Sequence, residues 1–164
     1  MKSLKSRPER IADPYRDLRV IDSRAPRFNQ ALIGSLSLLA ILTGWWGILV
    51  VLAIQLALTL ELGRRACLAC VTYFTLIQPL FGEGPLEDSR PPRFANLVGF
   101  VFLAAASVAY AAGLATAGAI LGGIVAALAI LAAATGFCAG CETYKLQCLL
   151  RGKPFTSCPI PRQS

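Results

Sequence analysis

Cys67-Leu68-Ala69-Cys70-Val71-Thr72-Tyr73 and Cys138-Ala139-Gly140-Cys141-Glu142-Thr143-Tyr144 spell one phrase, C-x-x-C-x-T-Y, twice. Each copy follows a long uncharged stretch: no Lys, Arg, Asp or Glu occurs over 28–60, and none over 94–141. A second shared phrase lies upstream, Pro26-Arg27-Phe28 and Pro92-Arg93-Phe94, followed by Leu32-Ile33-Gly34 and Leu97-Val98-Gly99. Matching Arg-Phe pairs are 66 positions apart and matching cysteines 71. A repeat of this kind sets the architecture before any local propensity does. It divides the chain into a first repeat, 28–81, and a second, 94–147. An arm (1–27) precedes them, a loop (82–93) joins them and a tail (148–164) follows.

Hydrophobic residues make up 55% of the chain and charged ones 15%, against roughly a quarter charged in ordinary soluble domains. A membrane-spanning helix needs about 20 predominantly apolar residues, so each uncharged stretch has the length of a helical hairpin. The pattern predicts helices over 28–42 and from the turn at 43–47 to 62, then over 94–112 and 117–135. Trp45 and Trp46 suit a headgroup layer at the first turn. The segment 67–81 is apolar but broken by Gln78-Pro79, and it reads as an interfacial helix rather than a fifth crossing. The expected fold is an all-α membrane protein with four transmembrane helices, arranged as two parallel-repeat hairpins. Each hairpin is followed by its C-x-x-C-x-T-Y segment, with the interfacial helix after helix two.

Charge placement gives the orientation. All 16 Lys and Arg fall in the arm, at Arg64-Arg65, in the central loop or from Lys145 onward, and the two hairpin turns carry none. Four crossings put every basic residue on one side, which the positive-inside rule makes the cytoplasm. Both termini and both cysteine pairs are then cytoplasmic. The arm has no continuous apolar core, so the first helix reads as an uncleaved anchor. Its basic residues are ordinarily just solvated; attraction to anionic headgroups is the sharper alternative, and the arm's acidic residues oppose it. Gly118-x-x-x-Gly122-x-x-x-Ala126 lets helix backbones approach closely in lipid. Packing within the chain is the default expectation, and a homo-oligomer face the alternative.

The net charge of +7 follows from this topology. No aromatic–basic interleaving points to nucleic acid, and the helices carry no buried charge pair of the kind ion coupling uses.

Histidine is absent and cysteine occurs six times, so thiols carry whatever chemistry there is. Two residues between cysteines put both sulfurs near one helix face, close enough for a disulfide or a shared metal. Three readings stand. In the first, Cys67, Cys70, Cys138 and Cys141 are catalytic thiols for thiol–disulfide exchange or sulfur relay, as an oxidoreductase or its accessory subunit. Cys138 is then the nucleophile and Cys141 resolves it, with electrons passing to a quinone or to the other pair. A helix N-terminus favours the thiolate, and pairs in a reducing cytosol rest as dithiols. In the second, the same four residues meet as a tetrahedral four-thiolate site for zinc or iron, since soft thiolates suit both. In the third they are packing residues or staples of a scaffold. Thr72 and Thr143 are expected to bond back to a carbonyl, and Tyr73 and Tyr144 to sit at the interface. Cys148 and Cys158 read as incidental.

Ile21 to Gln30 (IDSRAPRFNQ), Arg90-Pro91-Pro92-Arg93-Phe94 and Thr135-Gly136-Phe137-Cys138-Ala139-Gly140-Cys141 resemble a bacterial membrane family, domain of unknown function 4395, over about 20–146. The resemblance implies a small multi-pass protein of the bacterial cell (inner) membrane. It also implies a thioredoxin-like or sulfurtransferase partner, and it brings no established activity.

Overall fold

The computed structural model describes residues 13–16 and 19–150, with the backbone alone at Lys145, Gln147 and Cys148. The expectations for most of the arm, for the tail after Leu150 with Cys158, and for the Cys148 thiol lie outside the described residues.

Helix α1 (Arg24–Thr43) begins four residues before the predicted start, because Pro26 sits in its first turn, where a missing N–H breaks no hydrogen bond. It ends at Gly44, whose φ of 71° is the left-handed conformation that closes a helix. Helix α2 (Gly47–Leu62) starts just past the two tryptophans and runs into a 3₁₀ turn, Gly63–Ala66. Three short pieces follow: α3 (Leu68–Thr72), a π-helical turn (Tyr73–Ile77) and α4 (Gln78–Phe81). Then come α5 (Arg90–Ala111), α6 (Ala115–Thr135), ended by left-handed Gly136, and α7 (Ala139–Leu150).

Among the described residues, three helical stretches are long and apolar enough to cross a membrane: Gly47–Phe81, Arg90–Ala111 and Ala115–Thr135. Four were expected. Helix α1 has the length, at 20 residues, but Arg27, Asn29 and Gln30 occupy its first turns and dilute its hydropathy.

The principal packing partner of each long helix lies in the other half of the chain: α1 lies along α6, and α2 along α5. Small residues set how close they come. A Cβ on Gly34 would stand 2.7 Å from Ile130 Cγ1 and 3.3 Å from the Ala126 carbonyl oxygen, so the α1 and α6 backbones nearly touch there. Gly118 faces the Tyr110 ring, and Gly122 faces Leu49 and Ile41. The small-residue stripe therefore packs within the chain. Leu49, Leu52, Leu56, Leu103 and Ala106 fill the space between the helices.

A two-stranded ribbon ties the halves together. Strand β1 (Val20–Asp22) pairs antiparallel with β2 (Leu86–Asp88), with Ile21 opposite Glu87. Each strand leads through one serine into a long helix, and the shared phrase is longer than it first reads: Asp22-Ser23-Arg24-Ala25-Pro26-Arg27-Phe28 against Asp88-Ser89-Arg90-Pro91-Pro92-Arg93-Phe94. The second arginine of each phrase reaches a helix end in the other half. Arg93 Nη2 donates to the Leu60 carbonyl at 3.0 Å near the end of α2, and the Arg27 guanidinium stands over Gly136 at the end of α6. Unpaired carbonyls and the negative end of the helix dipole favour a cation at both places.

Candidate thiol site

Both C-x-x-C pairs open a helix in the same way. The first cysteine is the N-cap residue, and its sulfur accepts a hydrogen bond from the amide three residues on: Cys70 N to Cys67 Sγ at 3.1 Å, and Cys141 N to Cys138 Sγ at 3.4 Å. The sulfur takes the place of the oxygen of a capping Ser or Asp, and the N–H groups it faces favour the thiolate. Ala69 and Gly140 occupy the same place in the two motifs. A Cβ on Gly140 would lie 2.9 Å from Ala95 Cβ, so glycine lets α7 dock against α5. The second tyrosine-bearing turn mirrors the first: Tyr73 meets Phe28 and Tyr144 meets Phe94, each the phenylalanine of its own half, at ring distances of 6.2 and 5.7 Å.

Beyond that shared geometry the pairs differ. Cys67 and Cys70 are joined in a disulfide, 1% and 7% exposed, within a cluster of Ile21, Ala25, Tyr73 and Phe74. The expectation of dithiols at rest does not describe this pair. Cys67 Sγ lies 3.9 Å from Asn29 Oδ1; a disulfide sulfur carries no proton, so this contact becomes a hydrogen bond only on reduction. Tyr73 is buried rather than interfacial. Its hydroxyl donates to Asp22 Oδ2 at 3.0 Å. Asp22, 2% exposed, also accepts from Gln78 Nε2, Gly84 N and Arg24 N, and so holds residues 73–84 against the start of α1. Thr143 bonds to the Ala139 carbonyl as expected, whereas Thr72 makes no such bond among the described residues.

Cys138 and Cys141 are not joined in a disulfide, and both are half-buried. Gln30 Nε2 donates to Cys138 Sγ at 3.2 Å. The Cys141 thiol is the largest influence on Cys138. Burial opposes it, and the Cys141 amide, Gln30 and the Gly140 amide add to it. Together they lower the Cys138 thiol to about 6, so at neutral pH it is mostly thiolate.

Cys138 also opens onto a cleft of about 100 Å³ between the charged ends of the long helices. Gln30 and Asn96 are its polar lining, and Ile33, Leu56, Phe102 and Val125 are among its apolar lining.

Asn29 and Gln30, adjacent on α1, touch Cys67 and Cys138 respectively, so the two pairs lie near one turn of the same helix. They are not one cluster. Among the described residues no group of three or more His, Cys, Asp or Glu stands close enough to hold a metal ion. The single four-thiolate site expected of Cys67, Cys70, Cys138 and Cys141 therefore has no counterpart in this geometry. Gln30, Asn96 and Asp22 were not singled out from sequence. The signal for the first was present, since Asn29-Gln30 is a polar pair inside an otherwise uncharged apolar stretch.

No curated protein and no solved structure matches the chain. A family model does match, over residues 21–148, from the first ribbon strand through both cysteine pairs into α7; on that match the chain belongs to the DUF4395 family, a domain of unknown function.

Proposed function

We propose that this is a membrane thiol protein whose reactive centre is Cys138 with Cys141, working in thiol–disulfide exchange or sulfur relay. The observation that carries the reading is the Cys138 sulfur, a capping residue facing the Cys141 amide and the Gln30 donor, an arrangement that favours the thiolate. Cys138 attacks an incoming disulfide or sulfane sulfur, and Cys141, one helical turn away, attacks Cys138 to release the product. Cys67–Cys70 serves as the second pair. A disulfide in a reducing compartment is typically a working state rather than a staple.

The architecture in this reading has four crossings, α1, α2, α5 and α6, as two parallel repeats. The α1–α6 and α2–α5 packing and the equivalence of the two capping arginines support it; the uncharged part of α1, 28–43, is about 24 Å long at about 1.5 Å per residue, a short crossing of a core of roughly 30 Å. Segment 67–81 then lies at the interface. All 16 basic residues fall on the cytoplasmic side of a bacterial cell membrane, with both termini there. A thioredoxin-like or sulfurtransferase protein is the fitting partner from that side, the bilayer is the other, and homo-oligomers are compatible with the fold.

The test is a trap. The Cys141→Ser variant, in detergent, is mixed with a reduced thiol protein and a small disulfide. Accumulation of a mixed disulfide on Cys138, located by peptide mass mapping, is the expected result. Polysulfide in place of the disulfide separates relay from exchange, because a persulfide on Cys138 then persists. About one zinc or iron per chain in anaerobically purified protein, with thiols unreactive until chelation, would instead establish the metal reading.

A further inference from the structure

We propose that the cleft beside Cys138 binds a membrane-dissolved quinone and that the Cys138–Cys141 dithiol reduces it. This deepens the thiol reading above and rests on it.

The cleft has the chemistry of such a ligand. Its long dimension is apolar, made by α1, α2, α5 and α6. Val98, Ile124 and Leu128, all exposed, rim it on α5 and α6, so it opens onto the apolar flank of the helices rather than towards the charged end alone. Polar groups gather at one end only: Cys138, Gln30 and Asn96. Asn96 Oδ1 accepts from Asn29 at 3.3 Å, while its Nδ2 has no partner among the described residues and is free to donate to a ligand oxygen. A quinone presents ring carbonyls that accept such a bond, an electrophilic ring for the sulfur, and an apolar tail for the α5–α6 flank. Elemental sulfur or a plain alkyl chain has no acceptor for the amide. Cavities of roughly 150 Å³ hold a benzene ring when fully closed; this one is of that order and open on one side, which lets a substituted ring enter edge-on with its tail outside.

The chemistry balances. Cys138 thiolate adds to a ring carbon and one quinone oxygen takes up a proton from water. Cys141 sulfur then bonds to Cys138 sulfur, giving up its proton, and the carbon–sulfur bond breaks with its electron pair going to the ring. The second oxygen is protonated and hydroquinone leaves. One dithiol is oxidised to one disulfide, and one quinone gains two electrons and two protons. A thiol protein of the thioredoxin type returns the disulfide to the dithiol.

The test uses full-length protein in lipid nanodiscs, with Cys138 and Cys141 reduced and oxygen excluded. The probe is a benzoquinone with a ten-carbon tail, and hydroxyethyl disulfide is the water-soluble control oxidant. The expected result is one hydroquinone formed per Cys138–Cys141 disulfide. Gly99→Leu should slow this at least about tenfold and leave oxidation by hydroxyethyl disulfide unchanged. Gly99 lines the cleft, and space exists for that change: a Cβ there meets only Leu56 Cδ1, at 3.4 Å. Leu128→Trp, on the exposed rim, tests the same cleft if Gly99→Leu fails to fold. Oxidation by hydroxyethyl disulfide but not by the quinone, or quinone rates unmoved in both variants, overturns the quinone site and leaves the thiol reading intact. Failure of both oxidants overturns the thiol reading itself.

Discussion

The first cysteine pair is closed, buried and crowded by aromatic rings; the second is open, half-buried and faces a cleft. Both begin from one sequence phrase and one capping geometry. The difference comes from what surrounds them. Asp22 gathers Tyr73, Gln78 and the Gly84 amide over Cys67–Cys70, whereas its counterpart Asp88 binds only the neighbouring Arg90 among the bonds described, at 2.6 Å to Nη2. One aspartate closes a lid over its thiols and the other does not. A motif thus specifies local geometry, and the rest of the fold decides whether its chemistry is exposed.

The largest effect that can break this comparison is in alkylation. At pH 7, iodoacetamide should label Cys138 up to about 30-fold faster than an ordinary thiol by its thiolate fraction, an advantage that the lower nucleophilicity of a more acidic thiol trims, and leave Cys67 and Cys70 unlabelled until reductant is added. The Cys138 rate should be flat above the titration and fall as pH drops through about 6, because protonation removes the nucleophile. Equal labelling of both pairs in native protein, followed by peptide mapping, contradicts the distinction.

Next in size is the aspartate pair. Asp22→Ala leaves buried donors without an acceptor and should cost about 2–4 kcal/mol, against less than about 1 kcal/mol for Asp88→Ala. Thermal unfolding in detergent measures both, and Asp22→Ala should in addition make Cys67 and Cys70 accessible after mild reduction. Similar losses for the two variants would remove the proposed reason for the asymmetry.

Gly140→Val tests the docking of α7 on α5. Overpacking against Ala95 should cost about 1–3 kcal/mol and slow the trapping reaction, while Ala69→Gly in the first motif should cost only about 0.5–1 kcal/mol. The smallest effect sharpens rather than breaks the comparison. Both Cys141→Ala and Gln30→Leu should raise the pH midpoint of Cys138 alkylation, the former by more, since Cys141 is the larger influence.

Much of the fold was legible in the sequence because a bilayer needs long uncharged runs and turns need glycine. The limits of α2 and α6, the turns at Gly44 and Gly136, and the inward-facing stripe from Gly118 to Ala126 all follow from that. The start of α1 was not, because the uncharged stretch begins only at Phe28, whereas Pro26 suits a first helical turn. The site was legible only in its cysteines. That one pair would close and the other stay open depends on contacts between residues far apart in the chain, Asp22 with Gly84 and Gln30 with Cys138, and no local pattern encodes them. The extra Asp-Ser-Arg of the repeated phrase, by contrast, was there to be read.

The ribbon pairs Ile21 with Glu87, and these hold the same place in the two copies of the Asp-Ser-Arg phrase. A strand that pairs antiparallel with its own equivalent is the contact of a two-fold homodimer, here made inside a single polypeptide. Two identical subunits must give both thiol centres the same surroundings. Joined covalently, the halves are released from that obligation: one thiol pair can be enclosed and the other left open to a cleft, while the ribbon keeps them in register.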